Sequence, residues 1–508
     1  MASFAEAAKE VAARTSTLTT TDNGALTHAT STSGRVDLFA GALRNTAGDR
    51  MEKLLAASYA EDPLHTLKIL AYTRDIRGGK GERAISRQGL VWLANHHLKE
   101  LEHNLAHFVG FYGRYDDLLA LMGTPAEDYA IRLYARQLKA DLKALQAKKP
   151  VSLCAKWVPS ENKRADKKSH VTSKLAKALG VRPAELRKMY LSPLRKALQL
   201  VESQMCAKEW DAIDFNKVPS VAMKNHGKPD HAFMRHCATA FAEWKSGLST
   251  GATKVNAGVL FPHQIVEAYY RGQTKDELLE AQWASLEKDT RALGTLSRTL
   301  VMSDVSGSMQ GNPMLVSIAL GIMVSSVVAD EFNGLVLTFE TSPRFHHVVG
   351  DSLHAKVNNL KAAPWGGSTD FAAAFRAVIA LGTAKQIPRE RMPQKLIVVS
   401  DMQFNCADRN FETNYEVLAR EFAAAGYDVP QLVFWNVAGS TTDYATLATQ
   451  ANVSLLSGFS PNVLKAVLAG EDAPTPFQTM LTAILDARYD LITLPTDDVD
   501  IDFDIEIV

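Results

Sequence analysis

The chain has 508 residues, more than one hydrophobic core usually serves, so two or three domains are expected. Its 46% hydrophobic and 22% charged residues are those of a globular protein, and no apolar run is long enough to cross a bilayer. The formal net charge is zero, yet residues 1–294 carry 43 Lys+Arg against 32 Asp+Glu and residues 295–508 carry 13 against 24, so the two parts are oppositely charged.

The N-terminus, Met1-Ala2-Ser3-Phe4-Ala5-Glu6, lacks a basic segment followed by an apolar one, so no secretory signal is expected. Cys154, Cys206, Cys237 and Cys406 are widely spaced and form no CxxC pair. They read as buried or free thiols in a reducing compartment, not as a disulfide frame or a zinc site. A cytoplasmic protein with no membrane attachment is the expectation.

Residues 1–33 are rich in Thr, Ser and Ala and read as a flexible N-terminal arm. From 34 to 294 apolar residues recur at helical spacing, as in Leu64, Leu67, Leu70 and Ala71, then Leu90, Val91, Leu93 and Ala94. Breaks such as Glu61-Asp62-Pro63, Gly78-Gly79 and Gly123-Thr124-Pro125 separate the helices. Helical pairs without a fixed period predict an irregular HEAT-like stack.

Two basic features lie in this helical part. Arg74-Asp75-Ile76-Arg77-Gly78-Gly79-Lys80-Gly81-Glu82-Arg83 sits between two helical patterns. Its glycines can turn backbone amides toward one point, with Arg74, Arg77, Lys80 and Arg83 around it as phosphate contacts. The spacing is not that of a Walker loop. The other reading is a tight interhelical turn whose arginines pair with Glu61, Asp75 and Glu82. The second feature is residues 139–228, with 20 basic and 8 acidic residues. Lys163, Arg164, Lys167, Lys168 and Lys174 lie at its centre, with hydroxyls suited to phosphate oxygens and Trp157 and Tyr190 near enough to stack on unpaired bases. Such a segment is either a solvated helix face or a nucleic-acid surface, and the concentration of charge favours the latter. His226, His231 and the pairs His96-His97 and His346-His347 lack partners at metal spacing and read as ordinary histidines.

From 295 to 470 the pattern alternates between strand and helix. Strands are predicted at 299–303, 335–339, 344–348, 395–400, 431–437 and 452–456, and helices at 313–331, 352–360, 370–382, 412–425 and 461–469. This predicts a mostly parallel sheet covered on both faces. Asp304-Val305-Ser306-Gly307-Ser308 closes the first strand, Gly366-Gly367-Ser368-Thr369-Asp370 opens a helix, and Asp401 ends the strand Lys395 to Ser400. An aspartate and two hydroxyls spaced two residues apart offer hard oxygen ligation of the kind Mg²⁺ takes, at the sheet edge where ligands bind. Asp304 as a helix cap with the serines filling a turn is the plainer alternative. The extension 471–508 ends in Val499–Val508, where apolar and acidic residues alternate. It reads as a charged edge strand of its own domain, ahead of a strand added to a neighbour's sheet.

The set Asp-x-Ser-x-Ser, then Thr, then Asp after a strand resembles the metal-ion-dependent adhesion site (MIDAS) of von Willebrand factor A domains. By that resemblance the domain is Rossmannoid. Asp304, Ser306, Ser308, Thr369 and Asp401 would hold Mg²⁺ or another divalent cation, and an acidic group of a protein ligand or a phosphate would complete the shell. Many such domains have Asp-Gly where this chain has Asp401-Met402, which leaves direct and water-mediated binding by Asp401 both open. The two motifs Glu61–Arg83 and Asp304–Met309, with Ser400-Asp401-Met402-Gln403-Phe404, also resemble a plant, viral and microbial family whose architecture is similar to the Ro ribonucleoprotein autoantigen and other TROVE-type proteins. That resemblance implies a non-enzymatic ribonucleoprotein role, with structured or single-stranded RNA as partner. The rival reading is metal-dependent assembly, in which the basic part of one copy packs on the acidic part of another. Hydrolysis is disfavoured because no His or Glu stands beside Asp304 or Asp401 in the motifs.

Overall fold

The computed structural model describes residues 17–339, 343–362, 370–405, 414–468 and 473–496. The chain divides into two compact units. The first comprises residues 1–69, 77–82 and 257–486, and the second comprises 70–76, 83–256 and 487–508. The expected boundary at 294/295 does not coincide with this division.

The first unit is built on six strands, β3 (Thr299–Asp304), β4 (Leu335–Phe339), β5 (Arg344–His347), β6 (Lys395–Ser400), β7 (Gln431–Asn436) and β8 (Val453–Ser457). Their order is β5-β4-β3-β6-β7-β8, all parallel except β5. The strand predictions agree to within one residue at each end. β3, β6 and β8 are buried almost throughout, as a sheet covered on both faces demands. The helix Asn312–Ser326 is apolar all round and buried from Leu315 to Ser326. It lies so close to β3 that a Cβ on Gly321 would come within 2.3 Å of the Ser303 hydroxyl and force it to turn away.

Residues 257–294 join this unit for a packing reason. The helices Pro262–Tyr270 and Glu277–Arg291 contribute Ile265, Val266, Tyr269, Leu279, Trp283 and Leu286 to the core that holds Ile318, Ile322, Val336 and Val357. Helical periodicity identifies such helices but not the sheet they cover. A further core gathers Phe371, Phe375, Phe404, Phe422 and Phe434.

The N-terminal arm also differs from expectation. From residue 17 onward it forms an antiparallel hairpin, β1 (Leu18–Thr20) with β2 (Leu26–His28), paired Leu18 to His28 and Thr20 to Leu26. Two tertiary bridges, Gly24 with Asn405 and His28 with Tyr444, hold it to the sheet unit. Its Thr-rich composition, which suggested flexibility, suits a strand as well.

The second unit is helical, from Arg83–His96 and Leu98–His107 through the long helix Glu127–Gln146 to Ala238–Thr250. The stretch expected as a C-terminal edge strand lies outside the described residues. Among the described residues no helix is long and apolar enough to cross a membrane.

Candidate functional site

The order of the sheet reverses between β3 and β6. β3 is followed by β4 on one side, while β6 is followed by β7 on the other. Crevices at such a point, beyond the carboxyl ends of the strands, are where open α/β sheets bind ligands. Asp304 ends β3, Ser400 ends β6, and Asp401 comes directly after it.

Asp304 is fully buried. Its Oδ1 accepts from the Ser306 amide at 2.9 Å and its Oδ2 from the Ser400 hydroxyl at 2.6 Å. Burial, reinforced by the neighbouring Asp401 carboxylate, pushes Asp304 up to about 6. Ser306 is buried and Ser308 exposed, and their hydroxyl oxygens lie 3.1 Å apart. Asp401 accepts the Gln403 amide at 3.0 Å and its carbonyl accepts the Thr441 hydroxyl at 2.5 Å. Four of the five expected metal ligands therefore lie together, while Thr369, with residues 366–368 of its loop, lies outside the described residues, and Asp370 caps the helix Phe371–Ala384 by accepting the Ala373 amide at 2.8 Å.

The donor set fits a hard divalent cation on two observations. Asp304 and Asp401 are both buried and close enough for the charge of Asp401 to raise Asp304, an arrangement that a cation relieves. The Ser306 and Ser308 hydroxyls, hydrogen-bonded to each other at 3.1 Å, are close enough to ligate one ion together. Among the described residues no group of three His, Cys, Asp or Glu side chains is placed to hold a metal ion.

Met402 stands where the resemblance leads one to expect glycine, and its φ of 66° explains why glycine would suit. The loop holds this left-handed residue through three links. The Met402 amide donates to Ser400 Oγ at 3.0 Å, and the hairpin grips the next two residues. The Thr21 hydroxyl donates to the Phe404 carbonyl and the Asn23 side-chain amide to the Gln403 carbonyl, each at 2.7 Å. Sequence reasoning missed both Ser400 as a partner of Asp304 and the hairpin. The first is a strand-end serine with no special spacing, and the second depends on contacts some 380 residues apart.

The glycine-basic motif is structural at its centre, contrary to the phosphate reading. Lys80 is completely buried and donates to the carbonyls of Phe39 and Ala42 and to the Ser457 hydroxyl at the end of β8. Burial pushes its ammonium down to about 7, against the pull of Glu82. Glu82 is held by Arg44 at 2.7 Å, and Arg44 also lies 3.8 Å over the Phe459 ring. Arg74 is buried and bonded to Asp117 at 2.7 Å, so it too is no phosphate contact. Arg77 and Arg83 are exposed. The turn reading fits these pairs, with Arg74 on Asp117, Arg44 on Glu82 and Arg488 on Asp75. Replacing Lys80 with methionine is expected to lower stability by about 2–4 kcal/mol, because the two carbonyls lose their donor. A denaturant melt that leaves the midpoint unchanged would refute this.

In the basic segment, Lys163, Arg164, Lys167 and Lys168 are exposed on and beside the helix Arg164–Ser169. The acidic residue among them, Asp166, is turned inward. It accepts from the Thr172 hydroxyl, the Thr172 amide at 2.8 Å and the Asn162 amide at 2.9 Å. Although burial opposes it, these bonds hold Asp166 below the usual carboxylate range. It therefore fixes the loop and does not neutralise its basic neighbours. Lys174 differs, being tied to Glu127 at 2.6 Å. Tyr190 is buried and cannot stack on a base, whereas Trp157 is half-buried.

A further cluster escaped the sequence reading. Gly113-Arg114-Tyr115-Asp116-Asp117 places two carboxylates against Arg74, Arg83, Arg87 and Arg114. The signal was a glycine and arginine just before an acidic pair. Cys154, Cys206 and Cys237 are free thiols, as expected, and Cys406 lies outside the described residues.

A family model described as Domain of unknown function (DUF2828) matches residues 21–129 and 127–296, and another, Domain of unknown function (DUF7788), matches residues 298–483. An uncharacterized protein of Acanthamoeba polyphaga mimivirus is 33% identical over 488 residues, covering 90% of this chain and 85% of that protein. Among solved structures, the crystal structure of the Deinococcus radiodurans RO (RSR) protein is similar with a TM-score of 0.46 and 15% identity, over 89% of this chain and 99% of that one.

Proposed function

We propose that this chain, which belongs to the DUF2828 family and carries the DUF7788 domain after it, is a non-enzymatic RNA-binding protein with a von Willebrand factor A-like, Mg²⁺-holding site in its sheet unit. The observation that carries the RNA reading is the unneutralised basic face. Lys163, Arg164, Lys167 and Lys168 are exposed together while Asp166 is consumed by its own loop. Such a face binds the phosphate backbone by releasing counterions, so its affinity falls with salt.

In the sheet unit Asp304, Ser306, Ser308 and Asp401 would hold the ion, and a bound Mg²⁺ would supply a positive centre for a partner's carboxylate or phosphate. Asp304 and Asp401 are already engaged by hydroxyls and backbone amides. That engagement suits holding an ion over abstracting a proton. The sheet order and the strand-end placement of these residues support the adhesion-type reading.

Fluorescence anisotropy with a single-stranded RNA at about 0.1 M salt tests the RNA reading. The Lys163/Arg164/Lys167/Lys168→Ala variant is expected to bind at least about tenfold more weakly, and its salt slope to fall by up to about 3. Equal affinities would exclude the basic face as the RNA contact. The opposite charges of residues 1–294 and 295–508 favour a second reading, metal-dependent self-assembly. That reading requires the sedimentation coefficient to change between Mg²⁺ and chelator.

A further inference from the structure

The cluster around Asp116 and Asp117 holds more positive charge than it neutralises. Four arginines (Arg74, Arg83, Arg87, Arg114) meet two carboxylates. Asp117 is buried and spends its oxygens on Arg74 and Arg87, each at 2.7 Å, and on the Arg114 amide at 3.0 Å. Asp116 takes Arg114 in a two-pronged pair at 2.9 and 2.8 Å and Arg87 at 2.9 Å. Although burial works the other way, these partners hold Asp116 below the usual carboxylate range. Each carboxylate thus already holds three donors. Arg83 reaches Asp116 only at 3.9 Å and makes no side-chain hydrogen bond among the described residues.

The arrangement is also rigid and has an aromatic platform. Arg114 lies 3.9 Å over the ring of the half-buried Trp157. Gly113 is required for the packing, because a Cβ there would come within 2.7 Å of Asp117 Oδ2 and 2.5 Å of the Phe108 carbonyl. Arginines fixed by buried acids present their remaining donors in a set direction, which is what a tetrahedral oxyanion needs.

We propose that Arg83, Arg87 and Arg114 form a phosphate site for a single-stranded RNA, with Arg114 steadied on the Trp157 ring. The inference rests on the RNA reading but uses different residues from the basic helix. Burial and the adjacent Arg114 and Arg87 guanidiniums lower the Arg83 ionisation, and an incoming phosphate reverses that effect. Phosphate contacts carry no sequence information, so the site would grip a strand without selecting it.

The test uses the full chain and the same anisotropy measurement. Arg83→Gln is expected to weaken RNA binding about fivefold and lower the salt slope by about 0.7, with thermal stability unchanged. Arg83→Lys, which keeps the charge and loses the fork, should bind with intermediate affinity. If Arg83→Gln binds like wild type while the basic-helix variant loses affinity, this site is overturned and the RNA reading stands. If the wild-type protein binds no RNA, both are overturned.

Discussion

Replacing Asp117 with asparagine is expected to destabilise the protein by about 3–5 kcal/mol, the range for breaking a buried ion pair from one side. Asp117 is 1% exposed and its partner Arg74 is 5% exposed. The substitution keeps the size of the side chain and removes the only full negative charge bonded to the Arg74 guanidinium among the described residues. It also turns an amide donor toward one of two arginine Nε donors, each of which now sits 2.7 Å from an oxygen. Nothing among the described residues of that pocket compensates, because Asp116 is already committed to Arg87 and Arg114. The control is Asp128→Asn, where the change should stay within about 0.5 kcal/mol because the carboxylate is not buried. The two variants' urea midpoints give the comparison, and equal midpoints would refute the buried-pair account.

Replacing Asp304 with asparagine should do two opposite things. It should abolish stabilisation by Mg²⁺ and, without the ion, remove the loss of stability that the wild type suffers as the pH rises from 4 to 7. The raised ionisation of Asp304, about 6 against an ordinary 3.8, sets the sign. A carboxyl whose folded value is raised favours folding fully below about pH 4, and that contribution is lost as the pH rises through 6. The shift corresponds to about 3 kcal/mol, which the metal-free wild type forgoes at neutral pH and the asparagine does not. In chelator, the stability of Asp304→Asn relative to wild type should therefore grow between pH 4 and 7 and then level off. With Mg²⁺ present, the wild type should regain stability above pH 6 and the variant should not. Thermal shift across pH, in chelator and in Mg²⁺ on the order of millimolar, reads both. A wild type indifferent to Mg²⁺ at pH 7.5 would discard the metal site.

Much of the sheet unit was legible because its strands are short apolar runs ending in chemistry. Thr299-Leu300-Val301-Met302 and Leu396-Ile397-Val398-Val399 are buried on both sides, and each leads to an aspartate at the strand's end. The placement of Asp304 and Asp401 at the ends of neighbouring strands comes from the parallel pairing of β3 with β6. The features that stayed hidden depend on distant partners. Lys80 looks like a phosphate ligand in its glycine-rich setting, and only the carbonyls of Phe39 and Ala42 and the hydroxyl of Ser457 make it a buried strut. The Thr-rich residues 17–28 carry no signal for the loop they hold. Nor can the helices Pro262–Tyr270 and Glu277–Arg291 declare from periodicity alone that they cover a sheet.

The hairpin's bonds carry a cost in time. Thr21 meets Phe404 across 383 positions of sequence and Thr27 meets Tyr444 across 417. A ribosome adding about 5–20 residues per second needs roughly 20–80 s to cover such a gap. Through that interval the first strands leave the ribosome without the loop they will brace, and their exposed edges are open to other strands. Closure of the sheet unit is therefore a late, long-range event in synthesis, of the kind that slows folding. The loop bearing Asp401 can reach its final shape only once it has met the earliest strands of the described chain.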